Sequence, residues 1–497
     1  MDRRIAMDRL NRAMTGKTDR PIKVVQFGEG NFLRAFVDYM IDIANEEGLF
    51  DGDIVLIKPI SFGSLDMFKE QDCQYTVSLR GIVEGEAKVL NRQITSVRDI
   101  VDCTTDFDNY MALADIDTLR FVVSNTTEAG IVFDNTDQFD LAPAKSFPGK
   151  LTQFLYRRYT TFNGAADKGL VMLPVELIDD NGIMLKKCVN QLIELWGLEE
   201  GFKTWVNEAC VFTSTLVDRI VTGYPRDTIN EEWEKLGYED HIMVTGEPFA
   251  LWVIESDKDI SAELPLDKAM AGMPGMQVIY TDNQKPYKQR KVRILNGAHT
   301  SFVLASYLCG HNIVLESMQD ADVRNFMKKT IYEEVIPTLT LPKDELEAFA
   351  SAVETRFENP YVKHALLAIS LNSVSKWRAR CMPSLLGYVE KMGKLPAHMT
   401  FSLAALMAFY SATEIRDGKL VGHRGEEEYM ISDDAAVLEF FAANSTKSTE
   451  EFVTAFLSNE AFFGQDLTKV AGLKDAVVGY LDDIKANGMR AALCKIS

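Results

Sequence analysis

The residue types best suited to chemistry occur together between Lys291 and His299, in the run K-V-R-I-L-N-G-A-H. Lys291 carries a proton, Asn296 offers an amide donor and His299 offers an imidazole. In an α-helix, about 100° per residue would place the three side chains within an arc of roughly 140°. Interleaved apolar residues indicate partial burial, which suits a lysine to acid–base chemistry near neutral pH. The alternative is a helix with two solvated basic residues and a capping asparagine.

A glycine turn far upstream favours the catalytic interpretation. The β-branched run Ile22–Phe27 predicts a strand, and Gly28-Glu29-Gly30 follows it directly. Apolar residues then recur with helical spacing from Leu33 to Ala44. A strand, a glycine turn and a helix are the context of a dinucleotide-binding loop, in which Gly28 allows the tight turn and Gly30 lets the backbone approach the pyrophosphate. The alternative is an ordinary strand-to-helix connection.

The nucleotide-binding signature departs from its usual pattern at three positions. Leu33 stands where a third glycine is usual, so the helix must lie further from the strand. Arg34 in the first helical turn opposes the helix dipole, which makes sense if a phosphate binds there. The predicted second strand, Asp53–Lys58, ends in a lysine rather than in the acid that would hold the ribose hydroxyls. These residues alone leave the choice between NAD and NADP open.

Two further strands are predicted to end in polar loops. Residues 119–123 lead into the loop 124–130, and residues 169–175 lead into 176–182, ahead of a predicted helix at 184–196. Ligands of open parallel sheets bind beyond the carboxyl ends of the strands. The first loop is therefore expected to contact the nicotinamide ribose, unless it is a surface turn.

The second half of the sequence is almost wholly helical in its periodicity, and Ser448 with Glu451 forms a capping box ahead of an apolar run. The sequence therefore predicts an α/β Rossmann-type NAD-binding domain over residues 1–280 and a mostly α-helical substrate and catalytic domain over residues 281–497. The active site is expected between the two, because clefts at domain interfaces commonly hold ligands.

Two groups of charged residues are candidates for substrate contacts. Asp218 and Arg219 lie inside an apolar run, where charges are either paired with each other or functional. Lys376, Arg378 and Arg380 surround one tryptophan in a strongly acidic protein. They form either a solvated helix face or a clamp for a carboxylate or phosphate.

Composition excludes several classes of partner. The 497 residues carry a formal charge of −20, a surface that repels nucleic acid and anionic membrane. Neither a membrane-spanning apolar run nor the apolar core of a signal peptide is present, so a cytoplasmic location is expected. The seven cysteines include no C-x-x-C pair, which argues against a zinc site or a disulfide framework. The expected partner is a small molecule, and the chain is either a monomer or a small homo-oligomer.

Four blocks together resemble the mannitol dehydrogenase family of polyol-specific long-chain dehydrogenases: Q-F-G-E-G-N-F-L-R-A-F at 26–36, S-T-L-V-D-R-I at 214–220, G-E-P-F-A-L-W-V-I-E at 246–255 and K-V-R-I-L-N-G-A-H at 291–299. The last is the most specific, because it has the family's catalytic spacing. Other blocks, such as E-L-I-D-D-N-G at 176–182, are similar to members that act on sugar acids. The resemblance implies metal-free, NAD-dependent, reversible reduction of tagaturonate to altronate in hexuronate catabolism. Fructuronate (mannonate) reduction, or oxidation of a polyol or polyol phosphate, is the alternative.

The resemblance also implies roles for individual residues. Lys291 is expected to be the general acid/base, Asn296 to hold the carbonyl oxygen and His299 to hold a neighbouring hydroxyl. Lys376 matches a substrate-contacting lysine of the family. A second family asparagine has no direct match here, and Asn181 is the nearest candidate.

One departure from the family concerns the substrate end. An arginine that precedes the substrate-contacting lysine in the family is replaced by Ala368. We therefore expect Arg378 or Arg380 to supply cations for a carboxylate. The predicted cofactor contacts are Phe27, Gly28, Gly30, Asn31, Phe32, Arg34, Asn125, Thr127 and Glu128. The predicted substrate contacts are Asn181, Asp218, Lys376, Arg378 and Arg380.

Overall fold

The computed structural model describes residues 7–127 and 129–497, and the chain forms two compact units, Met1–Gln284 and Lys285–Ser497. The first unit combines strands with helices, and the second is mostly helical. The strands of the first unit are β1 (Ile22–Phe27), β2 (Asp53–Lys58), β3 (Tyr75–Val83), β4 (Glu86–Ile94), β5 (Val97–Asp102), β6 (Phe121–Ser124), β7 (Val171–Pro174), β8 (Val211–Phe212), β9 (Ser214–Asp218), β10 (Val221–Gly223), β11 (Val244–Gly246), β12 (Ala250–Glu255) and β13 (Met276–Thr281).

A six-stranded parallel sheet lies at the centre of the first unit, in the order β5-β2-β1-β6-β7-β8. Numbered among themselves, these strands have the 3-2-1-4-5-6 order of a doubly wound dinucleotide-binding sheet. Within β1, Val24 belongs to one apolar core, and Val25 and Phe27 belong to another. Strands buried on both faces carry near-continuous apolar runs, which is why their sequences were recognisable. The predicted Rossmann-type fold is confirmed.

The first unit also contains helices, in addition to its strands. They are α1 (Arg12–Thr15), α2 (Asn31–Arg34), α3 (Val37–Glu46), α4 (Asp66–Glu70), α5 (Phe107–Ala112), α6 (Phe147–Thr161), α7 (Asn181–Leu195), α8 (Glu200–Glu208), α9 (Ile229–Leu236) and α10 (Leu266–Ala269). Helix α3 contributes to one apolar core, whereas α6, α7 and α8 contribute to the other. Both cores therefore hold the carboxyl ends of the strands in fixed positions.

The helix after the glycine turn is interrupted, so the prediction of one continuous helix from Leu33 to Ala44 is wrong. Helix α2 ends after one turn, and Phe36 separates it from α3 with φ −127° and ψ −75°. The Phe36 ring is buried, stacks on Phe32 with 4.9 Å between centroids and contacts Trp252. The break in the helix allows the Phe36 ring to pack in the apolar core.

Two apolar segments are divided between sheets. Residues 211–220 supply β8 to the central sheet and β9 to the sheet β13-β12-β9, and residues 246–255 supply β12 to that second sheet and the end of β11 to the sheet β10-β11-β3-β4. The region 60–117 supplies the antiparallel pair β3 and β4 and also β5.

The second unit confirms the predicted helical character. Its helices are α11 (Lys285–Arg290), α12 (Gly297–Leu308), α13 (Val314–Gln319), α14 (Ala321–Lys329), α15 (Lys343–Phe357), α16 (Leu366–Ile369), α17 (Ser373–Arg380), α18 (Met382–Met392), α19 (Ala397–Phe409), α20 (Ala435–Asn444), α21 (Thr449–Leu457), α22 (Glu460–Phe463), α23 (Leu473–Asn487) and α24 (Met489–Cys494), with π-helical turns at Lys291–Asn296 and Thr330–Val335. The capping box of Ser448 and Glu451 begins α21 as predicted.

Helices α12 and α19 form the centre of the second unit and are buried along most of their lengths. A small antiparallel sheet of β14 (Ile415–Arg416), β15 (Lys419–Arg424) and β16 (Glu427–Ile431) was not predicted. Within the described ranges, none of the helices has the length and hydropathy of a membrane span.

Candidate active site

A cavity of about 700 Å³ lies at the carboxyl ends of β1, β2 and β6. Gly28 and Gly30 line it after β1, Pro59 lines it after β2, and Asn125 and Thr127 line it after β6. This is the edge at which open parallel sheets bind their ligands, and the volume suits a small-molecule ligand. The predicted loop after β6 therefore lies in the expected place.

The two glycines serve different purposes. Gly28 has φ +118°, and a Cβ there would lie 3.2 Å from the carbonyl oxygen of Asn125 and 3.3 Å from Cδ1 of Leu33. Gly30 has no positive φ, and a Cβ there would meet no protein atom within 4 Å. Gly28 is thus required by the turn itself, whereas Gly30 leaves open space in which a ligand phosphate fits against the protein backbone.

The loop after β6 is held by a carboxylate that is not among the predicted site residues. Glu176, buried at the end of β7, accepts hydrogen bonds from the amide and hydroxyl of Thr126, both at 3.0 Å, and from the hydroxyl of Ser124 at 3.1 Å. Because charge-assisted bonds of this kind are strong, Glu176 fixes the backbone that lines the cavity.

Several predicted cofactor contacts have side chains engaged inside the protein. The ring of Phe27 packs on Phe147 in the apolar core, and Phe32 stacks on Phe36. The guanidinium of Arg34 donates to the carbonyls of Ile242 and Glu29 and to the side chain of Asn31. Its burial lowers the pKa of Arg34. The predicted phosphate contact of Arg34 is therefore wrong, since this arginine ties the turn to a distant loop. Predicted Glu128 lies outside the described residues.

In the second unit, Lys291–Asn296 form a π-helical turn between α11 and α12, which corrects the α-helical prediction. Hydrogen bonding from residue i to i+5 places residues five apart one above the other, whereas five α-helical steps separate them by about 140°. The π turn therefore brings Lys291 and Asn296 to the same face. His299 follows one turn later in α12. Single π turns are rare and occur often at functional sites.

The ring of His299 lies among aromatic and basic side chains. It stacks on Phe357 with 4.2 Å between ring centroids, and His364 meets it edge-on at 5.3 Å. Burial lowers the pKa of His299 well below its usual value, and neighbouring basic groups lower it further, so the imidazole is neutral at pH 7. Those groups are His364, Arg356, Arg380 and Lys376. Its buried Nε2 has no hydrogen-bond partner among the described residues, which suits it to a ligand hydroxyl.

Helix α17 presents its basic residues in two directions. Lys376 and Arg380 are four residues apart, on one face, and both act electrostatically on His299. Arg378 is exposed on the other side of the helix, with its guanidinium beside Gly464. The predicted group of three is therefore divided, and Arg378 is not part of the cluster around His299.

Gly297 lets α17 approach the π turn closely. A Cβ at Gly297 would lie 3.3 Å from the carbonyl oxygen of Arg380 and 3.5 Å from that of Val292. The Cys381 thiol donates to the Gly297 carbonyl at 3.6 Å, and Nη1 of Arg380 donates to the Thr300 hydroxyl at 3.4 Å. These contacts fasten the last turn of α17, and with it Arg380, to the start of α12.

The amide of Asn181 is fully used inside the first unit, contrary to its predicted substrate role. Its Nδ2 donates to the carbonyls of Pro174, Glu176 and Thr215 at 3.0–3.2 Å. Its Oδ1 accepts from the amides of Gly182 at 2.9 Å and Thr215 at 2.8 Å. An amide side chain offers two donors and one acceptor oxygen, so Asn181 instead joins the end of β7 to β9.

Arg219 has a structural role, whereas the role of its neighbour Asp218 stays a prediction. The Arg219 guanidinium donates to the backbone carbonyls of Ala35, Pro248 and Phe249. It thereby joins three segments of the first unit. Asp218, at the end of β9, is 9% exposed.

Comparison with known proteins covers nearly the whole chain. The model of the mannitol dehydrogenase Rossmann domain matches residues 22–268, and that of the mannitol dehydrogenase C-terminal domain matches residues 283–485. The altronate oxidoreductase of Enterobacter sp. (strain 638) is 46% identical over 494 residues, which are 98% of this chain and 99% of that protein. This chain belongs to the mannitol dehydrogenase family. The altronate oxidoreductase of Escherichia coli O7:K1 (strain IAI39 / ExPEC) is 45% identical over the same shares.

Solved structures share the fold of this mannitol dehydrogenase family member. A substrate-free D-sorbitol dehydrogenase has a TM-score of 0.76 at 20% identity and covers 98% of this chain and 100% of its own. The mannitol 2-dehydrogenase of Pseudomonas fluorescens, in a ternary complex with NAD and D-mannitol, has a TM-score of 0.66 at 20% identity. It covers 98% of this chain and 99% of its own.

Three residues of the candidate site were not predicted from the sequence, and they come from distant segments. Glu176 directly follows an apolar strand, and a polar residue at a strand end was the available signal. Arg356 and His364, which act on His299, come from the end of α15 and from the loop before α16. No local pattern relates either residue to His299, so only the packing of the helices reveals them.

Proposed function

We propose that this chain is an NAD-dependent oxidoreductase that interconverts tagaturonate and altronate, with Lys291 as the general acid/base. The observation that carries this proposal is the near-full-length identity of 46% to an altronate oxidoreductase. Local geometry supports it, because the chain has a cavity at the dinucleotide-binding edge of its sheet and the Lys291–Asn296–His299 spacing on a π turn.

The residues of the glycine turn fit a dinucleotide. Open space at Gly30 admits the pyrophosphate, and Asn125 and Thr127 are proposed to contact the nicotinamide ribose. When bound as NADH, the cofactor supplies the hydride that reduces the ketone carbon. The backbone around Thr126, fixed by Glu176, requires little reorganisation on binding.

Three side chains are proposed to handle the substrate oxygen atoms. The Asn296 amide donates a hydrogen bond to the ketone oxygen, and the Lys291 ammonium transfers a proton to that oxygen as negative charge develops there. In altronate oxidation the neutral Lys291 amine takes the same proton back. His299 is neutral, and its Nε2 is proposed to bond a neighbouring hydroxyl.

The carboxylate of a sugar acid requires cations in a protein whose formal charge is −20. Lys376 and Arg380 share one face of α17 and act on His299. We therefore assign the carboxylate to Lys376 and Arg380 rather than to Arg378.

The test is a comparison of initial rates of NADH oxidation with tagaturonate, fructuronate, fructose and fructose 6-phosphate. We expect tagaturonate to have the highest kcat/KM and fructose to be about 10²-fold poorer, because fructose leaves the cationic groups unpaired. Faster turnover of fructuronate would favour a mannonate-forming member of the family. Equal turnover of fructose and the uronates would refute the carboxylate assignment.

A further inference from the structure

The end of β2 presents a lysine where dinucleotide-binding sheets commonly place a ribose-binding acid. A free cation at this point would suit the 2′-phosphate of NADP. In the structure, however, Lys58 is 1% exposed, and its Nζ donates to Oδ2 of Asp102 at 2.7 Å. Asp102 ends β5, the neighbouring strand.

Asp102 is well suited to hold this lysine. Its other oxygen, Oδ1, accepts from the amide of Thr104 at 2.9 Å and from its hydroxyl at 2.6 Å. Although burial opposes ionisation, the bonds from Lys58 and Thr104 lower the pKa of Asp102 to about 2. The carboxylate is therefore ionised at neutral pH and compensates the charge of Lys58.

Glu29 supplies an acid at the same edge of the sheet. It is the middle residue of the Gly28–Gly30 turn, lines the cavity and is partly buried. Burial raises the pKa of Glu29, a backbone hydrogen bond and the charges of Lys58 and Arg34 lower it, and the charge of Asp102 raises it, so Glu29 is an electrostatic neighbour of the Lys58–Asp102 pair. Glu29 thus lines the ligand space beside a charge pair that is already compensated.

We propose that Glu29 selects NAD over NADP in this chain, by accepting hydrogen bonds from the adenosine ribose hydroxyls and repelling a 2′-phosphate. Asp102 supports this selection because it withholds the cation of Lys58 from that phosphate. The inference rests on the proposed function only in that the cavity binds a nicotinamide dinucleotide.

The physical basis is the difference between a hydroxyl and a phosphate beside a carboxylate. A ribose hydroxyl donates a charge-assisted hydrogen bond to Glu29, whereas a 2′-phosphate has negative oxygens and meets like charge in a partly desolvated site. Glutamine at position 29 keeps the size and an acceptor oxygen but removes the charge. It also offers an amide donor to the phosphate.

The experiment measures the dissociation constants of NADH and NADPH by nucleotide fluorescence, for the wild type and Glu29→Gln. We expect the wild type to bind NADH more tightly, and the preference for NADH to fall by about 10-fold or more in Glu29→Gln. Glu47→Gln makes the same chemical change at an exposed position at the end of α3 and should retain the wild-type preference.

A second variant tests the part played by the charge pair. Asp102→Asn removes the negative charge that compensates Lys58, and we expect it to tighten NADPH binding about 10-fold, with a further gain in the double variant with Glu29→Gln. Thermal melting of each variant identifies any loss of folding. If Asp102→Asn is unstable, the preference of Glu29→Gln for NADH over NADPH decides the proposal alone, because this substitution is isosteric and its site is partly exposed.

The outcomes separate this inference from the proposed function. A wild-type preference retained in Glu29→Gln would overturn the role of Glu29, even with full tagaturonate turnover. NADH binding without tagaturonate turnover would contradict the substrate assignment while the selectivity measurement still decides on Glu29. Failure of the wild type to bind either nucleotide would overturn both.

Discussion

The cavity of the first unit and the Lys291–His299 segment of the second unit are built in different ways. The cavity is formed by backbone at strand ends, with Gly28 in a left-handed conformation and open space at Gly30. The segment around Lys291 instead presents side chains from a π turn and the helix that follows it. A site made of backbone is damaged by added atoms, whereas a site made of side chains is damaged by their removal.

The largest effect should come from removing the ammonium on the π turn. Lys291→Met keeps the chain length and apolar contacts but has no transferable proton. We expect kcat for tagaturonate reduction to fall about 10²–10⁴-fold, while the dissociation constant of NADH stays within a factor of about two. Lys394→Met, at an exposed loop position, is the matched control and should retain activity. Loss of NADH binding together with activity would mean that Lys291 is structural and that the two regions are not functionally distinct.

Adding one methyl group in the cavity should distinguish the two glycines. Gly28→Ala forces an alanine to φ +118° and against the Asn125 carbonyl, so we expect destabilisation of about 1–3 kcal/mol and weaker NADH binding. Gly30→Ala meets no protein atom within 4 Å, so its melting temperature should match the wild type while NADH binding weakens about 10-fold. Thermal melts and NADH titrations measure both quantities. Unaltered NADH binding in Gly30→Ala would place the pyrophosphate elsewhere.

A smaller effect should separate the two arginines of α17. Arg380→Ala removes a cation from the cluster around His299, and we expect KM for tagaturonate to rise about 10-fold with a smaller change in kcat. Arg378→Ala is the matched control, because its exposed guanidinium lies beside Gly464. Equal KM increases in both variants would show that net charge, rather than the position of one cation, governs substrate binding.

Much of the fold was predictable because it depends on local patterns. The apolar run of β1 and the glycines after it gave the strand, the turn and the nucleotide-binding edge. The capping box at Ser448 gave the start of α21. Such signals are contained within a few residues, so they do not depend on what packs against them.

Other sequence expectations failed where distant residues compete for a polar group. Arg34 was expected to bind phosphate, but the carbonyl of Ile242, which lies far along the chain, takes its guanidinium. Asn181 was expected to bind substrate, but the backbone of Thr215 and its neighbours use its whole amide. A buried polar group must find partners, and the sequence does not show which partners are near.

The sequence by itself determined the residue types at the nucleotide turn and the Lys-Asn-His spacing, because both are properties of contiguous chain. The tertiary structure alone decided that Lys291 and Asn296 lie on a π turn, that Gly297 receives the end of α17, and that Asp102 neutralises Lys58. Helix form, close backbone approach and charge compensation depend on packing between segments that are far apart in the chain.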